Sequence, residues 1–273
     1  MRSLRAVLAQ LAPRPHDVAA NAATVVRLLR EHPEADLACF PELFLQGYTL
    51  PGIDRLALDV DDEPLARIRA AAAASSTAVV VGFAERLDGE RLPADSALLV
   101  DRDGALAGVY RKVHLFGQEA DHFTPGREYV VAGLAGLRVA PLICYDLEFP
   151  EPARAVALAG ADLIVTVSAN MAPYLAEHQL FAGARAVENR RPHVYVNRPG
   201  TESGWTFVGG SCLVTAAGDV PAALGDGEEV AVVDVVLGPP PLPDYLADRR
   251  DGVPAVLVPP TRPLIRASTG GVS

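Results

Sequence analysis

Three side chains that could together carry out nucleophilic catalysis each stand at or just after the end of an apolar, strand-like segment. The carboxyl group of Glu42 follows one such segment, the ammonium of Lys112 follows a predicted hairpin, and the thiol of Cys144 ends another. A thiol can attack a carbonyl carbon, a carboxylate can accept its proton, and an ammonium can stabilise a developing oxyanion. Because strand ends gather at one edge of an α/β sheet, we predict that these groups share one pocket.

The composition sets Lys112 apart from the other basic residues. The chain has 24 basic residues, and Lys112 is the only lysine among them; all the others are arginine. A compact ammonium and a planar guanidinium differ in shape and hydration, so a site that needs one does not accept the other. Position 112 is therefore a candidate site residue, and the alternative is an ordinary surface lysine.

The local sequence suggests how the thiol and the carboxyl group could be activated. Cys144 lies where a strand gives way to a helix that begins near Pro150, and the helix N-terminus and a lysine would both favour its thiolate. Glu42 stands among apolar neighbours, where desolvation would raise its pKa. The structural alternatives are a packed cysteine, as we assign Cys39 and Cys212, and a glutamate in an ordinary ion pair.

Strand-like and helix-like patterns alternate along the chain, which predicts an α/β fold. The predicted strands are 4–11, 36–40, 78–84, 96–100, 105–110, 137–144, 163–168, 194–197, 207–215, 220–223 and 229–236. The predicted helices are 17–31, 63–75, 150–158 and 175–189. We expect one domain over residues 1–238, followed by a tail over residues 239–273 that packs on the surface or on a partner subunit.

Three sequence blocks, in this order, resemble the catalytic blocks of the nitrilase superfamily of carbon-nitrogen hydrolases: 41–48 (PELFLQGY), 110–116 (YRKVHLF) and 144–151 (CYDLEFPE). Glu119, before the 123–126 turn, is similar to the second glutamate of that superfamily, and 184–189 (ARAVEN) is similar to its helix ending. The resemblance extends over about residues 5–236. It implies a four-layer αββα sandwich that commonly assembles into dimers or larger oligomers through its outer helices.

The resemblance also implies roles for individual residues. Cys144 would form a thioester, Glu42 would act as general base and acid, and Lys112 with the backbone N–H of Tyr145 would stabilise the oxyanion. Glu119 would hold Lys112 or the substrate in position. The residues expected to contact substrate are Tyr48, Tyr145, Glu148 and Asn170.

Position 148 bears on the class of substrate. Members of the superfamily that act on acidic substrates often carry an arginine four residues after the nucleophile, whereas Glu148 would repel a substrate carboxylate. Blocks 144–151 and 207–211 look most like those of bacterial amidases for neutral aliphatic or arylalkyl amides. The alternatives are an N-carbamoyl-amine amidohydrolase, a nitrilase, or an inactive interaction module on the same fold.

Composition and spacing argue against several other classes. The net charge of −10 argues against nucleic-acid binding, and no apolar run is long enough to span a bilayer. Three cysteines cannot all pair, which favours a reducing, cytoplasmic location. His114, Asp121 and His122 lack the spacing of a zinc site, so we predict no metal and no cofactor. The expected partners are a small-molecule amide and further copies of this chain, as a homodimer or higher homo-oligomer.

Overall fold

Fourteen strands and four α-helices occur in the part of the chain that the computed structural model describes, residues 2–238 and 242–250. In chain order they are β1 (Arg2–Gln10), α1 (Val18–Glu31), β2 (Leu37–Cys39), α2 (Glu63–Ser75), β3 (Ala78–Glu85), β4 (Ala94–Val100), β5 (Leu106–Arg111), β6 (Ala132–Leu134), β7 (Leu137–Ile143), α3 (Pro150–Leu158), β8 (Leu163–Ser168), α4 (Leu175–Asn189), β9 (His193–Asn197), β10 (Pro199–Glu202), β11 (Trp205–Val208), β12 (Cys212–Val214), β13 (Ala222–Ala223) and β14 (Glu229–Leu237).

These strands form two six-stranded mixed sheets. The first has the order β14-β1-β2-β3-β4-β5 and the second the order β13-β12-β9-β8-β7-β6. Among the named strands of the described residues, the parallel pairs are β1-β2-β3 in the first sheet and β7-β8-β9 in the second. The carboxyl ends of these parallel strands are where an α/β sheet places its functional loops.

The alternation of side chains along β3 shows how the layers are built. Val80 faces the apolar core between the two sheets, whereas Val79 and Val81 face the core formed with α1 and α2. A strand buried on both faces needs apolar side chains at every position, which explains its continuous run of apolar residues. Helices α3 and α4 cover the second sheet in the same way. The predicted four-layer αββα sandwich is confirmed.

The helices begin and end close to the predicted residues. The bounds of α2, α3 and α4 agree with the sequence-based ones, and α1 begins one residue later, because Asp17 is its N-cap. The Asp17 carboxylate accepts a hydrogen bond from the backbone N–H of Ala20 at 3.0 Å. Such a cap satisfies a donor that the first helical turn leaves free.

The predicted single strand over 207–215 is wrong. Gly209 and Gly210 adopt φ values of +58° and +73°, in the left-handed region, and separate β11 from β12. β11 pairs with β10 in a two-stranded sheet of its own, while β12 joins the second large sheet. A side chain at Gly209 would place its Cβ 2.7 Å from the carbonyl oxygen of Gly225. Apolar periodicity carries no information on such a close backbone approach, so the pattern suggested one strand.

Most of the predicted tail, residues 239–241 and 251–273, lies outside the described residues. In the part from 242 to 250, the carbonyl oxygen of Pro243 accepts a hydrogen bond from Nε of Arg190 at 2.9 Å, and the ring of Tyr245 lies 4.2 Å from the same guanidinium. These contacts join the described part of the tail to the end of α4. Among the described residues, no helix has the length and apolar character that crossing a membrane requires.

Candidate active site

The carboxylate of Glu42 and the ammonium of Lys112 meet between the two sheets. Glu42 lies three residues after the end of β2, and Lys112 directly follows β5. Their side chains are completely buried, and Lys112 Nζ lies 2.6 Å from Glu42 Oε1. Cys144 directly follows β7 on the opposite sheet and is buried, and the charges of both Glu42 and Lys112 act on the pKa of its thiol. Strand ends from both sheets therefore bring the three predicted side chains together.

Glu119 holds Lys112 from the other side. Nζ of Lys112 lies 2.8 Å from Oε1 and 2.7 Å from Oε2 of Glu119. Glu119 also accepts hydrogen bonds from the backbone N–H of Phe116, at 2.7 Å, and from the hydroxyl of Tyr48. The ammonium thus lies between two buried carboxylates, and charge-assisted hydrogen bonds of this kind hold its position firmly.

A tight backbone turn presents Cys144. The φ of Cys144 is +42°, in the left-handed region that residues other than glycine rarely adopt. Cys144 also begins a short 3₁₀ turn that ends at Glu148. The buried carboxylate of Asp146 accepts hydrogen bonds from the Tyr110 hydroxyl at 2.7 Å, the His114 N–H at 2.9 Å and the Ile143 N–H at 3.2 Å. Asp146 therefore links the turn that begins at Cys144 to the segment that carries Lys112, a role that the sequence reasoning missed.

The pKa of the Cys144 thiol is raised well above its ordinary value. Burial is the main cause and the negative charge of Glu42 adds to it, while Lys112 and a hydrogen bond with Ser168 partly offset the increase. The expectation of a favoured thiolate is therefore wrong. Burial destabilises the thiolate form of the sulfur by more than the Lys112 ammonium stabilises it, because two glutamates already share the charge of that ammonium.

The pKa of Glu42 shifts in the opposite direction, to below its ordinary value. Burial alone would raise it, but the charge of Lys112, the hydrogen bonds from Lys112 and from the backbone N–H of Ala169, and the neighbouring carboxyl group of Asp95 together outweigh burial. The Ala169 N–H lies 2.6 Å from Glu42 Oε2. The sequence-based expectation of a raised pKa is wrong as well. The site holds an ionised carboxylate beside a neutral thiol, a pair arranged for proton transfer from sulfur to oxygen.

Two of the predicted substrate-binding residues are aromatic. Tyr48 is buried, its hydroxyl is bonded to Glu119, and its ring packs edge-on against Phe207 with 5.6 Å between centroids. The half-buried ring of Tyr145 packs edge-on against Phe116 at 5.3 Å and Phe149 at 5.1 Å. Their contacts with substrate stay predictions.

The other two predicted substrate-binding residues have polar partners within the chain. Oε1 of Glu148 lies 3.2 Å from Nε2 of His178 on α4. The backbone N–H of Asn170, just after β8, donates to Oδ1 of Asn197 at 2.7 Å. Glu148 thus has a structural partner within the chain, and the roles of both residues toward substrate stay predictions.

A further carboxyl group, that of Asp95 on β4, joins the cluster. Its Oδ2 lies 3.6 Å from Lys112 Nζ, and one oxygen atom from each of Glu42, Asp95 and Glu119 lies within 4.8 Å of the other two. Such a trio could ligate a cation, but the Lys112 ammonium already lies against all three. The sequence reasoning missed Asp95, and the available signal was an acidic residue in a strand that is otherwise mostly apolar.

Gly82 on β3 allows the backbone at Glu42 to approach the sheet. A Cβ at position 82 would lie 2.4 Å from the carbonyl oxygen of Pro41 and 2.6 Å from Cα of Glu42. We expect Gly82→Ala to displace Glu42 and to lower kcat/KM by about 10²-fold, the cost of misplacing a reacting group by about an ångström. Steady-state kinetics test this, with Gly133→Ala as the control, because a Cβ there meets nothing within 4 Å. Equal effects of the two substitutions would contradict the prediction.

Comparison with known proteins identifies the family. The sequence model of the carbon-nitrogen hydrolase family matches residues 5–238. An (R)-stereoselective amidase of a Pseudomonas species is 36% identical over 250 residues, covering 89% of this chain and 90% of that protein. A Pseudomonas protegens protein with the name "Hydrolase in pqqF 5'region" is 38% identical over 260 residues. The match covers 92% of this chain and 90% of that protein.

Solved structures give the same result. An amidase of the nitrilase superfamily from Nesterenkonia superposes with a TM-score of 0.81 at 33% identity, covering 90% of this chain and 94% of that one. That amidase has also been solved with butyramide and with the acetamide moiety of fluoroacetamide covalently attached to its active-site cysteine. With this architecture, these sequence matches and the convergence of Glu42, Lys112 and Cys144, the chain belongs to the carbon-nitrogen hydrolase family, within the nitrilase superfamily.

Proposed function

We propose that this chain is an amidase that hydrolyses small neutral aliphatic or arylalkyl amides to carboxylic acid and ammonia through a thioester on Cys144. The observation that carries the proposal is the buried contact of Glu42 with Lys112, with 2.6 Å between Oε1 and Nζ, beside the strand end that carries Cys144. The lowered pKa of Glu42 and the raised pKa of the Cys144 thiol support it. Because the pKa of Glu42 is low and that of the thiol is high, Glu42 stays ionised and the thiol stays protonated in the resting protein. The proton moves to Glu42 only when the sulfur forms its bond with a substrate carbonyl carbon.

In the first half-reaction Glu42 takes the thiol proton while the sulfur of Cys144 attacks the amide carbonyl carbon. The carbonyl oxygen becomes negative and is stabilised by the Lys112 ammonium and the backbone N–H of Tyr145. As the C–N bond breaks, Glu42 delivers its proton to the departing nitrogen. Ammonia leaves, and the acyl group remains on Cys144 as a thioester.

The second half-reaction uses the same groups with water as nucleophile. Glu42 takes a proton from the water, whose oxygen attacks the thioester carbon, and the same donors stabilise the second oxyanion. The C–S bond then breaks and Glu42 returns the proton to the sulfur. The carboxylic acid is released, and Glu42 and Cys144 return to their starting protonation states.

Apolar packing around the site and the relatives support the substrate class. Tyr48, Phe123, Met171 and Phe207 belong to one buried apolar cluster, and the hydroxyl of Tyr48 reaches Glu119. Apolar walls with a few polar groups suit a neutral acyl group better than a charged one. The Nesterenkonia amidase was solved with butyramide, a neutral aliphatic amide.

Ammonia release from a substrate panel tests the proposal. The panel contains butyramide, a phenylalkyl amide, an amide that carries a free carboxylate, an N-carbamoyl amine and a nitrile, with heat-inactivated protein as the blank. We expect the two neutral amides to be the best substrates and the carboxylate-bearing amide to be poor. Preference for the carbamoyl compound or the nitrile would replace the proposal with that activity. No turnover together with no acyl labelling of Cys144 would indicate an inactive interaction module.

The pH dependence of kcat/KM follows from the lowered pKa of Glu42. Protonated Glu42 cannot accept the thiol proton, so activity is lost as pH falls through the pKa of this group, below its ordinary value of 4.5. We expect a kcat/KM that is level from neutral pH down to about pH 5 and declines only in more acidic solution. Circular dichroism at each pH separates this decline from acid unfolding. A midpoint near neutrality would contradict the prediction.

Self-association is part of the proposal. The outer helices α3 and α4 expose Leu158 and Leu180, with 49% and 68% of their surface accessible in the single chain. Apolar side chains on an outer face suit contact with a second copy of this chain. Sedimentation velocity over a range of concentrations tests it, and a monomer throughout would contradict it.

A further inference from the structure

Asp95 is an acidic residue buried in the middle of the molecule with no role in the reaction described above. It lies near the start of β4, is completely inaccessible to solvent, and follows Ala94 in an otherwise mostly apolar strand. Its Oδ2 lies 3.6 Å from Lys112 Nζ, which is beyond hydrogen-bonding range. A buried carboxyl group whose oxygens accept no hydrogen bond requires a physical explanation.

The cluster contains more acids than its ammonium can neutralise. Glu42, Asp95 and Glu119 surround the ammonium of Lys112, so three ionised carboxylates would leave a net charge of −2 without water to screen it. Other titratable groups near the cluster do not neutralise it. The Cys144 thiol and the Tyr48 hydroxyl are neutral, and the guanidinium of Arg198, which interacts with the charge of Glu42, is already paired with Glu202 at 2.6 Å. Carboxylates this close together in a buried site cannot all ionise, so at least one of the three holds a proton.

Hydrogen-bond donors show which of the three remains neutral. Both oxygens of Glu119 contact Lys112, and two further donors reach that residue. Glu42 receives Lys112 at 2.6 Å and the Ala169 N–H at 2.6 Å. In contrast, no donor in the described part of the chain bonds to either oxygen of Asp95. The ionised form of Asp95 is therefore the least stabilised of the three.

The remaining polar neighbour of Asp95 is another carboxyl group. An oxygen atom of Asp95 lies within 4.8 Å of one of Glu42, and the proximity of the two groups lowers the pKa of Glu42 and raises that of Asp95. Two carboxyl groups form a hydrogen bond only when one of them carries a proton, which it then donates to the other. Burial and the charge of Glu42 both favour placing that proton on Asp95.

We propose that Asp95 is a neutral carboxylic acid in the resting protein and donates a hydrogen bond to Glu42, as a positioning residue that keeps Glu42 ionised. In this proposal Asp95 acts through Glu42 and takes no direct part in bond making or breaking. Its importance for turnover rests on the proposed function, whereas its protonation state does not. The two parts can therefore be tested separately.

Infrared spectroscopy tests the protonation state without any substrate. Asp95→Asn keeps the shape of the side chain and removes only the carboxylic acid. We expect the wild-type minus variant spectrum at neutral pH to contain the C=O stretch of one protonated carboxyl group. Bands of an ionised carboxylate in its place would overturn the proposal. Because no turnover is needed, this result stands even if the panel of amides reveals no activity.

The pH dependence of Cys144 alkylation by iodoacetamide tests the effect on Glu42. Asp95→Leu removes the donor at similar volume, so the acidic midpoint should rise by about one pH unit, the value of a lost hydrogen bond to a charged group. Asp95→Asn keeps an N–H donor and should return the midpoint to near the wild-type value. A downward shift in the asparagine variant would indicate that an ionised neighbour had been removed, and would overturn the proposal.

A control separates this effect from a general loss of structure. Ser96, the next residue on β4, donates a hydrogen bond at 2.8 Å to Glu85, away from the cluster. Ser96→Ala should leave the midpoint of alkylation where it is, whatever its effect on thermal stability. If Asp95→Leu does not fold, the infrared spectrum and the asparagine variant decide the question. Loss of stability in both Asp95 variants with no change in midpoint would show a structural role only and contradict the proposal.

Discussion

Replacing Cys144 with alanine is expected to lower amide turnover by about 10⁴-fold or more, because the substitution removes the sulfur that forms the thioester in the proposed reaction. The fold should persist, because the lost group is a single buried sulfur and alanine can occupy the same turn. Ammonia release measures the effect on turnover, and thermal unfolding confirms that the variant is folded. Mass spectrometry should detect an acyl adduct on the wild-type chain and none on the variant.

Cys212 provides a matched control for this substitution. It is also a buried cysteine, and burial raises its pKa to about 11. It lies on β12 within an apolar cluster with α4, and burial is the cause of its pKa shift. Cys212→Ala should therefore retain most of the turnover. A comparable loss in both variants would show that the effect of Cys144→Ala comes from packing and not from chemistry.

Replacing Lys112 with methionine is expected to damage both stability and turnover. The side chain is of similar length, but Glu42 and Glu119 lose the ammonium that lies between them. Leaving buried charges without a partner costs about 3–5 kcal/mol of unfolding free energy. Loss of an oxyanion donor lowers kcat by about 10²–10³-fold. Urea denaturation and steady-state kinetics measure the two effects.

The pH dependence of stability gives this prediction a second readout. In the methionine variant the pKa values of the uncompensated carboxyl groups rise, and these groups bind protons in the folded state as pH falls. The stability difference from wild type should therefore be largest at neutral pH and shrink in mild acid. Arg27→Met is the control, because its partner Glu31 is exposed and such a surface pair contributes at most about 1 kcal/mol. A difference that is constant with pH would contradict this explanation.

Much of the architecture could be predicted from local patterns. Strands β3, β7 and β8 could be predicted from their apolar runs, and the bounds of α2, α3 and α4 followed from periodicity and from Pro150. The splitting of 207–215 at Gly209 and Gly210 could not be predicted in this way. It depends on a close approach to Gly225, and this contact joins segments that are separate along the chain.

The sequence by itself determined the family and the chemical types at the site: a carboxylate, an ammonium and a thiol at three strand ends. Only the tertiary structure decided their protonation states. It places Asp95 near Glu42, bonds Asp146 to the backbone beside Cys144, and puts Lys112 between two glutamates. A pKa is set by burial and by every charge and donor around a group, and here these come from β4 and from the segments that follow β2, β5, β7 and β8. Local sequence reports only the immediate neighbours, and for this reason both pKa expectations, for Cys144 and for Glu42, had the wrong sign.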